Sequence, residues 1–414
     1  MIRSSPDESL PKLAGLAGGP SNIYIASGLC IGSIDRASGQ QTALAGCQQE
    51  GYENGNSSDT KFIDPSGVAT DPDRGVLYVA DSGNDAVRTV HLSSGKTETL
   101  SGSFLWLPPP MKVGPDGTFE HDGGLNTKLV DGSIGVARFN RPSGLAFDRA
   151  DSVLYVADSL NGLVRAIDLE GRLVSTLAGG AGGGTGGGSI ADGVGSSASF
   201  HFPTGLALDD APHQNGVGSS PTKWLYVADT LAHQVRKVAI VTAYTFEQSV
   251  EVGGGSSSYD DGALSGNASS GVNLTEWQLS LEHALEAQWE ATHATHANGL
   301  EGVDTDAQHG AGWQRHLSLS AVVSTIAGTG AAGYVDGVGT AAAFDQPTGL
   351  ALSSDRSRLY IADLANRRVR TLDLASGVVS TLAGSGASLA HASHPPLEFT
   401  ALACFPHRLL LPSR

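Results

Sequence analysis

The chain has 414 residues, of which 55 are glycine and only 16% are charged. Glycine is about twice as frequent as in an average globular protein, and charged residues are well below their usual share. This composition is typical of a turn-rich protein with little exposed helix. The 42 acidic residues outnumber the 25 basic ones, and the net charge of −17 argues against a nucleic acid as partner, because such binding requires a basic surface.

Cysteine content and the N-terminal sequence set further limits. The three cysteines, Cys30, Cys47 and Cys404, are too few for a disulfide framework, although Cys30 and Cys47 could form one pair. Residues 1–8 lack the apolar stretch of a signal peptide, and no apolar run approaches the ~20 residues of a membrane helix. We therefore expect a soluble protein without membrane insertion, in a compartment that the sequence leaves open.

One composite pattern returns along the chain, and its clearest part is a short apolar run that contains tyrosine and ends in aspartate. Four strong copies end at Asp81, Asp158, Asp229 and Asp363, and a weaker copy runs from residue 23 to residue 27. A phenylalanine, a proline and a glycine precede each strong copy. They are Phe62/Pro65/Gly67, Phe139/Pro142/Gly144, Phe200/Pro203/Gly205 and Phe344/Pro347/Gly349.

Polar residues follow each of the four aspartates at fixed spacing. Asparagine stands three positions later in three copies, arginine stands seven positions later in all four, and the remaining copy has a histidine in the turn. The full set is Asp81, Asn84, Arg88, Asp158, Asn161, Arg165, Asp229, His233, Arg236, Asp363, Asn366 and Arg370. Aspartate at a strand end with asparagine in the turn is ordinary turn chemistry. Because the set recurs in every copy, we interpret it as structural.

Each unit then closes with a β-prone strand of the Thr-Leu-Ala-Gly type. Four short β-segments separated by turn residues are what one antiparallel blade of a β-propeller needs. The units cover residues 10–47, 62–102, 139–179, 200–328 and 344–384. We predict an all-β fold, a propeller with five recognisable four-stranded blades, and a sixth blade stays open.

This combination of Pro-x-Gly-Leu-Ala, Tyr-Val-Ala-Asp, Asn and Val-Arg elements resembles the repeat of NHL propellers. The resemblance covers most of residues 10–384, which we assign to the propeller domain. Since known NHL propellers often have six blades, it leaves the number of blades at five or six. Residues 1–9 are expected to form an N-terminal tail, and residues 385–414, which lack the repeat pattern, a C-terminal tail or a degenerate blade.

Residues of about 245–320 split the fourth unit between its third and fourth strands. This insertion opens with Gly/Ser-rich sequence at residues 253–258, which is typical of a flexible linker. A helix is predicted after it, with a capping-box-like start at Asn273 and Glu276 and a stop at residues 298–299. Its apolar stripe consists of Trp277, Leu281, Leu285 and Trp289. We therefore predict a helical and low-complexity insertion in the fourth blade.

The candidate binding residues lie where the linker loops enter the innermost strands, because propellers usually bind ligands at the mouth of their channel. The two positions after each phenylalanine are mostly polar, with Ile63 and Phe202 as exceptions, and they differ from blade to blade, as a specific site requires. The residues selected for this mouth are Asp64, Asn140, Arg141, His201, Asp345 and Gln346. No residue is assigned a catalytic role.

The sequence therefore favours a binding scaffold that holds a protein, a peptide or a small ligand at the channel mouth. The alternative is a metal-assisted propeller enzyme, a lyase or hydrolase that uses the ring around His201 and Asp345. No cofactor is predicted. One imidazole is a poor zinc set, whereas Asp64, Asn140 and Asp345 offer the oxygen ligands that calcium prefers. The identity of the ligand and the oligomeric state are left open.

Overall fold

The computed structural model of the protein describes residues 13–102, 112–113, 119–120, 129–180, 190–213, 222–248 and 313–386. In these residues the secondary structure consists of β-strands and short 3₁₀ turns, without an α-helix. The chain divides into two compact units. The first comprises residues up to Asp210, Trp224–Ile240 and the residues from Ser320 onward, and the second comprises Ala211–Lys223 and Val241–Leu319.

The first unit is a five-bladed β-propeller, and each blade is an antiparallel sheet of strands that follow one another in the chain. Blade 1 contains β1 (Leu13–Gly18), β2 (Asn22–Ser27), β3 (Cys30–Asp35) and β4 (Gln41–Gly46). Blade 2 contains β5 (Pro65–Asp71), β6 (Val76–Asp81), β7 (Ala86–His91) and β8 (Thr97–Gly102). A separate two-stranded sheet follows, formed by β9 (Lys112–Val113) and β10 (Phe119–Glu120).

The other three blades each begin with an extra two-residue strand. Blade 3 contains β11 (Gly132–Ser133), β12 (Pro142–Asp148), β13 (Val153–Asp158), β14 (Leu163–Asp168) and β15 (Leu173–Ala178). Blade 4 contains β16 (Gly193–Val194), β17 (Pro203–His213), β18 (Thr222–Asp229), β19 (Gln234–Gln248) and β20 (Trp313–Ala327). Blade 5 contains β21 (Gly337–Val338), β22 (Pro347–Leu352), β23 (Arg358–Asp363), β24 (Arg368–Asp373) and β25 (Val378–Ala383). Among the described residues, the second unit consists of the ends of β17–β20.

The prediction of an all-β propeller with five repeated blades is confirmed, and the described residues form five blades. The sequence pattern gave four strands per blade and missed β11, β16 and β21. These strands form because an aspartate of the linker binds the outermost strand: in blade 3, Asp131 accepts hydrogen bonds from the backbone N–H (3.1 Å) and the hydroxyl (3.2 Å) of Thr176. This anchor places the residues after Asp131 in register with β15.

Several regions discussed from the sequence lie outside the described residues. They are the N-terminal tail, the predicted helix with Trp277, Leu281, Leu285 and Trp289, and residues 387–414. At the edges of the predicted insertion, the structure describes strand: β19 continues to Gln248 and β20 begins at Trp313. In the part of the chain that is described, no helix is long and apolar enough to cross a membrane.

The core lies at the junctions between blades. Strand β13 of blade 3 is buried along its whole length, because neighbouring blades cover both of its faces. The linker phenylalanines fill the junctions: Phe62, Phe139, Phe200 and Phe344 are each at most 1% exposed. At the junction of blades 2 and 3, Phe139 belongs to one cluster with Tyr78 and Val156. Burial of each such ring stabilises the fold by roughly 1.5–3 kcal/mol.

The innermost strands approach one another closely at the glycine of the Pro-x-Gly motif. A Cβ atom on Gly67 would lie 2.0 Å from the carbonyl oxygen of Ser143 in the next blade, and one on Gly144 would lie 2.0 Å from that of Thr204. Only glycine fits such a backbone approach. The motif therefore sets the radius of the ring of inner strands.

Blade 1 contains a disulfide bond between Cys30 and Cys47, with the Cα atoms 4.3 Å apart. It joins the start of β3 to the residue after β4 and closes a loop of 17 positions. The pairing considered from the sequence is thus present in the structure.

Candidate functional site

The loops that enter the innermost strands are held by the aspartate that ends the tyrosine-containing strand of each blade (β6, β13, β18 and β23). We call this strand the second strand and the two that follow it the third and fourth strands, so that the extra two-residue strands are not counted. Oδ1 of this aspartate accepts a hydrogen bond from the backbone N–H of the first residue after the phenylalanine. The donor–acceptor distance is 2.8 Å from Ile63 to Asp81, 2.7 Å from Asn140 to Asp158, 2.7 Å from His201 to Asp229 and 2.8 Å from Asp345 to Asp363. The carbonyl oxygens of the same four residues accept backbone hydrogen bonds from the turns that follow these aspartates. The first residue of each entering loop is therefore held by one backbone hydrogen bond that it donates and one that it accepts.

The other oxygen of each aspartate binds the arginine of the third strand. In blade 5, Nη1 of Arg370 donates to Oδ2 of Asp363 at 2.7 Å, and both side chains are completely buried. Nη2 of Arg370 donates to Asp336 at 2.7 Å, and Asp336 also accepts from Thr381 on the outermost strand. The guanidinium lies 5.1 Å from the ring centroid of Phe344. One arginine thus connects the linker and its phenylalanine to the second strand, and through Asp336 to the fourth.

Blades 2, 3 and 4 repeat this network with small changes. Arg165 and Arg236 bind Asp131 and Asp192 in the linkers, whereas Arg88 binds the side-chain oxygen of Asn54 at 2.7 Å. Asn84 and Asn161 donate to Asp81 and Asp158, each at 2.8 Å. The Asp/Asn/Arg set lies in the interior of the blades. It therefore does not line an open site, and its assignment as structural remains a prediction.

Burial dominates the electrostatics of these aspartates. Desolvation raises the pKa of Asp81, Asp158 and Asp229 to about 6 each, although their arginine partners and hydrogen bonds act in the opposite direction. The pKa of Asp363 is raised for the same reason.

The second residue of each entering loop has left-handed backbone geometry. The φ angles are 50° at Asp64, 50° at Arg141 and 54° at Gln346. The equivalent residue of blade 4, Phe202, has a φ of 80°. Three of these positions hold polar side chains, although the conformation favours glycine. Because this conformation recurs in four blades, it is a structural feature of the repeat and does not by itself mark one site.

Side chains at the mouth connect neighbouring blades at two of the junctions that the structure describes. Between blades 2 and 3, the guanidinium of Arg141 pairs with the carboxylate of Asp64, and both side chains are about half exposed. Between blades 4 and 5, Nδ1 of His233 accepts a hydrogen bond from the backbone N–H of Gln346 at 3.1 Å and lies 3.5 Å from Oδ1 of Asp345. The structure thus brings His233 to the selected mouth residues, a contact that the sequence did not indicate.

Asn140 and His201 occupy equivalent positions in blades 3 and 4. Nε2 of His201 is buried and has no hydrogen-bond partner. No group of three histidine, cysteine, aspartate or glutamate side chains in the described ranges is arranged to hold a metal ion. The sequence suggested Asp64, Asn140 and Asp345 as oxygen ligands for calcium. The ion pair of Asp64 with Arg141 would compete with a cation bound there.

The inner strands enclose a channel with two unlike parts. A narrow space of about 70 Å³ lies between the glycines of the five inner strands, at Gly15, Gly67, Gly144, Gly205 and Gly349. Beyond it, the second halves of these strands line a wider cavity of about 470 Å³, with apolar walls that include Phe147, Leu208 and Leu352 and with Arg356 among its polar residues. Arg356 pairs with Asp210 at 2.5 Å. The candidate residues predicted from the sequence all lie at the opposite end of the channel, because the apolar residues that line this cavity resemble core positions.

Known proteins give the following comparison. No protein-family model matches the chain. The chain is 24% identical over 332 residues to Protein SUPPRESSOR OF QUENCHING 1, chloroplastic, of Arabidopsis thaliana, which covers 80% of this chain and 27% of that protein. It is 31% identical over 200 residues to NHL repeat-containing protein 2 of Bos taurus, with 47% and 23% covered. The chain spans about a quarter of the length of these curated relatives.

Among solved structures, an auxiliary nutrient binding protein from Bacteroides thetaiotaomicron VPI-5482 is 13% identical, covers 95% of this chain and 64% of its own, and gives a TM-score of 0.48. The blade architecture and the sequence relatives lead to one conclusion. The chain forms a five-bladed β-propeller and is distantly homologous to the NHL repeat-containing proteins and to Protein SUPPRESSOR OF QUENCHING 1, chloroplastic.

Proposed function

We propose that this propeller is a binding scaffold that holds a protein, peptide or small polar ligand at the channel mouth where the loops enter the inner strands. One observation carries this proposal. In four blades the backbone of the entering loop is fixed by a buried aspartate and by the following turn. The side chains on these fixed loops nevertheless differ from blade to blade. A constant frame that presents variable side chains is typical of a recognition surface.

The mouth has the chemistry to bind groups of either charge. Arg141 and Asp64 form an exposed pair, and such a pair contributes at most about 1 kcal/mol to stability. A ligand carboxylate can therefore take the guanidinium from Asp64, or a ligand amine the carboxylate from Arg141, at little cost. Because the loop backbones are already fixed, binding there loses little conformational entropy.

The test is a peptide selection on the intact chain, followed by calorimetric titration of a selected peptide. Arg141→Gln and Asp345→Asn should each weaken binding by roughly tenfold, as removal of a charged hydrogen bond does. Arg149→Gln is the matched control, because Arg149 forms an exposed pair with Asp73 between the same two blades but follows the other end of β12. Equal loss in the Arg149 variant, or no effect of the two mouth variants, would refute the proposal.

A further inference from the structure

Blade 5 has one face that is less covered than the same face in the other blades. The tyrosine of the second strand is at most 2% exposed at Tyr78, Tyr155 and Tyr226, but Tyr360 is partly exposed. In the fourth strand, Leu177 of blade 3 is 4% exposed and its counterpart Leu382 is 45% exposed. Val369 and Ala383 are likewise more exposed than their counterparts. We call Tyr360, Val369, Leu382 and Ala383 the open face of blade 5.

A hydrogen-bond relay between blades is incomplete at the same place. Blades 2, 3 and 4 each carry two paired hydroxyls. One of them donates to the proline carbonyl of the next inner strand, as Ser159 does to Pro203 at 2.6 Å and Thr230 does to Pro347 at 2.8 Å. In blade 5 the position of Thr230 is occupied by Leu364. The hydroxyl of Thr348 is buried there and has no hydrogen-bond partner.

The open face also includes a site that is filled by an aromatic ring elsewhere. A Cβ atom on Gly46, the last residue of β4, would lie 2.9 Å from the ring of Phe62, and one on Gly102, the last residue of β8, would lie 3.2 Å from the ring of Phe139. Gly384 occupies the equivalent repeat position, directly after β25, and its φ of 95° is positive like those of Gly46 (77°) and Gly102 (85°). Gly46 is buried, whereas Gly384 is exposed.

We propose that the chain's own C-terminal segment, residues 387–414, covers the open face of blade 5 and places the ring of Phe399 or Phe405 beside Gly384. Spacing supports this occupant. Phe62 follows Gly46 by 16 residues and Phe344 follows Gly328 by 16, while Phe399 follows Gly384 by 15. Phe405 follows Gly384 by 21 residues, as Phe200 follows Gly179.

Tethering favours this segment over a separate partner. The last described residue, Gly386, lies two positions after Gly384, so the segment starts beside the face that it would cover. A linker this short gives an effective concentration on the order of millimolar. The segment also carries Leu397 and Leu402 close to the two phenylalanines in sequence, and these apolar side chains match the exposed Leu382 and the partly exposed Val369 of the open face.

Disulfide trapping in the full-length chain tests this docking, because the segment contains Cys404. Leu382→Cys should form an intramolecular disulfide with Cys404 under mild oxidation, detected by mass spectrometry of peptides. Val378→Cys is the matched control: Val378 lies on the same strand and is 41% exposed, but it lies at the other end of β25. We expect trapping to be about tenfold faster at residue 382, since trapping reports local concentration. Equal rates, or no trapping, would overturn the proposal, and a bond between two chains would assign the face to a second copy.

A second measurement does not depend on Cys404. In a Leu382→Cys chain that also carries Cys404→Ser, the rate of thiol labelling reports how often the open face is uncovered. Phe399→Ala together with Phe405→Ala should raise this rate about tenfold, because local opening becomes easier. Labelling at Val378→Cys should stay the same. Rapid labelling of residue 382 that the double substitution does not change would show that the segment does not cover this face.

Discussion

Nη1 of Arg165 lies 2.9 Å from Oδ2 of Asp158, and neither side chain is exposed to solvent. The same guanidinium also binds the carbonyl oxygens of Val130 and Arg138. A buried charge pair costs desolvation energy that only good geometry and further hydrogen bonds can offset. Here the pair satisfies the linker backbone and fixes the loop that begins at Asn140.

Asp158→Ala should lower the free energy of unfolding by about 3–5 kcal/mol, because it leaves Arg165 charged, buried and without its partner. Urea unfolding followed by circular dichroism measures this loss. Asp131→Ala is the control, since Asp131 binds the same arginine but is 48% exposed and should cost only about 1 kcal/mol. A folded fraction of the Asp158 variant that no longer binds a ligand of the parent chain would contradict the structural assignment.

Stability should rise when the pH is lowered from 7.5 to 5. Burial raises the pKa of Asp81, Asp158 and Asp229 to about 6 from an ordinary value of 3.8, so the folded state binds protons that the unfolded chain releases. The resulting stabilisation is complete below pH 3.8 and is lost as the pH rises through about 6. Urea titrations at several pH values measure this slope.

Asp158→Asn should make this pH dependence shallower, because the amide stays neutral at every pH. Below pH 4 the trend should reverse: hydrogen bonds from Ser353 and Ser357 hold the pKa of Asp355 at about 2, so its contribution disappears as that carboxylate is protonated. A parent chain that loses stability steadily from pH 7.5 to 5 would refute the expected sign.

Gly144→Ala should destabilise the propeller by about 3 kcal/mol, because a rigid backbone carbonyl occupies the position of the new methyl group. Gly135→Ala provides the comparison, since a Cβ atom there would meet no atom within 4 Å. Thermal unfolding of both variants measures the difference. Similar melting temperatures would mean that the inner strands can move apart without loss of packing.

Short Gly/Ser turns in place of residues 211–223 and 241–319 should leave a folded propeller with the same β-rich circular dichroism. These residues make up the second unit, and the hydrophobic cluster between blades 4 and 5 contains none of them. Closure of a loop also depends only weakly on its length. Val235→Ala, at a completely buried position in that cluster, is a control that must reduce stability. Failure of the shortened chain to unfold cooperatively would place part of the core in the removed segments.

The repeated residues made the fold predictable because each performs a task that local sequence can reveal. The tyrosine-containing runs predicted strands, and the structure confirms this. The close backbone approach at the glycines after proline was not predicted, because it depends on the neighbouring blade. The extra strand β11 escaped prediction because it depends on Asp131 contacting Thr176, 45 positions away. The mouth residues could be selected by position, but the contact of His233 with Gln346 arises between two blades and has no local signal.

Among the described residues, every blade consists of strands that follow one another in the chain, so no described sheet combines strands from blades that are distant in sequence. A single blade with its linker is therefore an inheritable module. Duplication or deletion of the corresponding stretch of gene would add or remove a whole sheet without breaking any other. New copies start with the same buried aspartate and arginine, and the exposed positions after the phenylalanine are then free to diverge. Recognition can thus evolve one loop at a time on a frame that is copied intact.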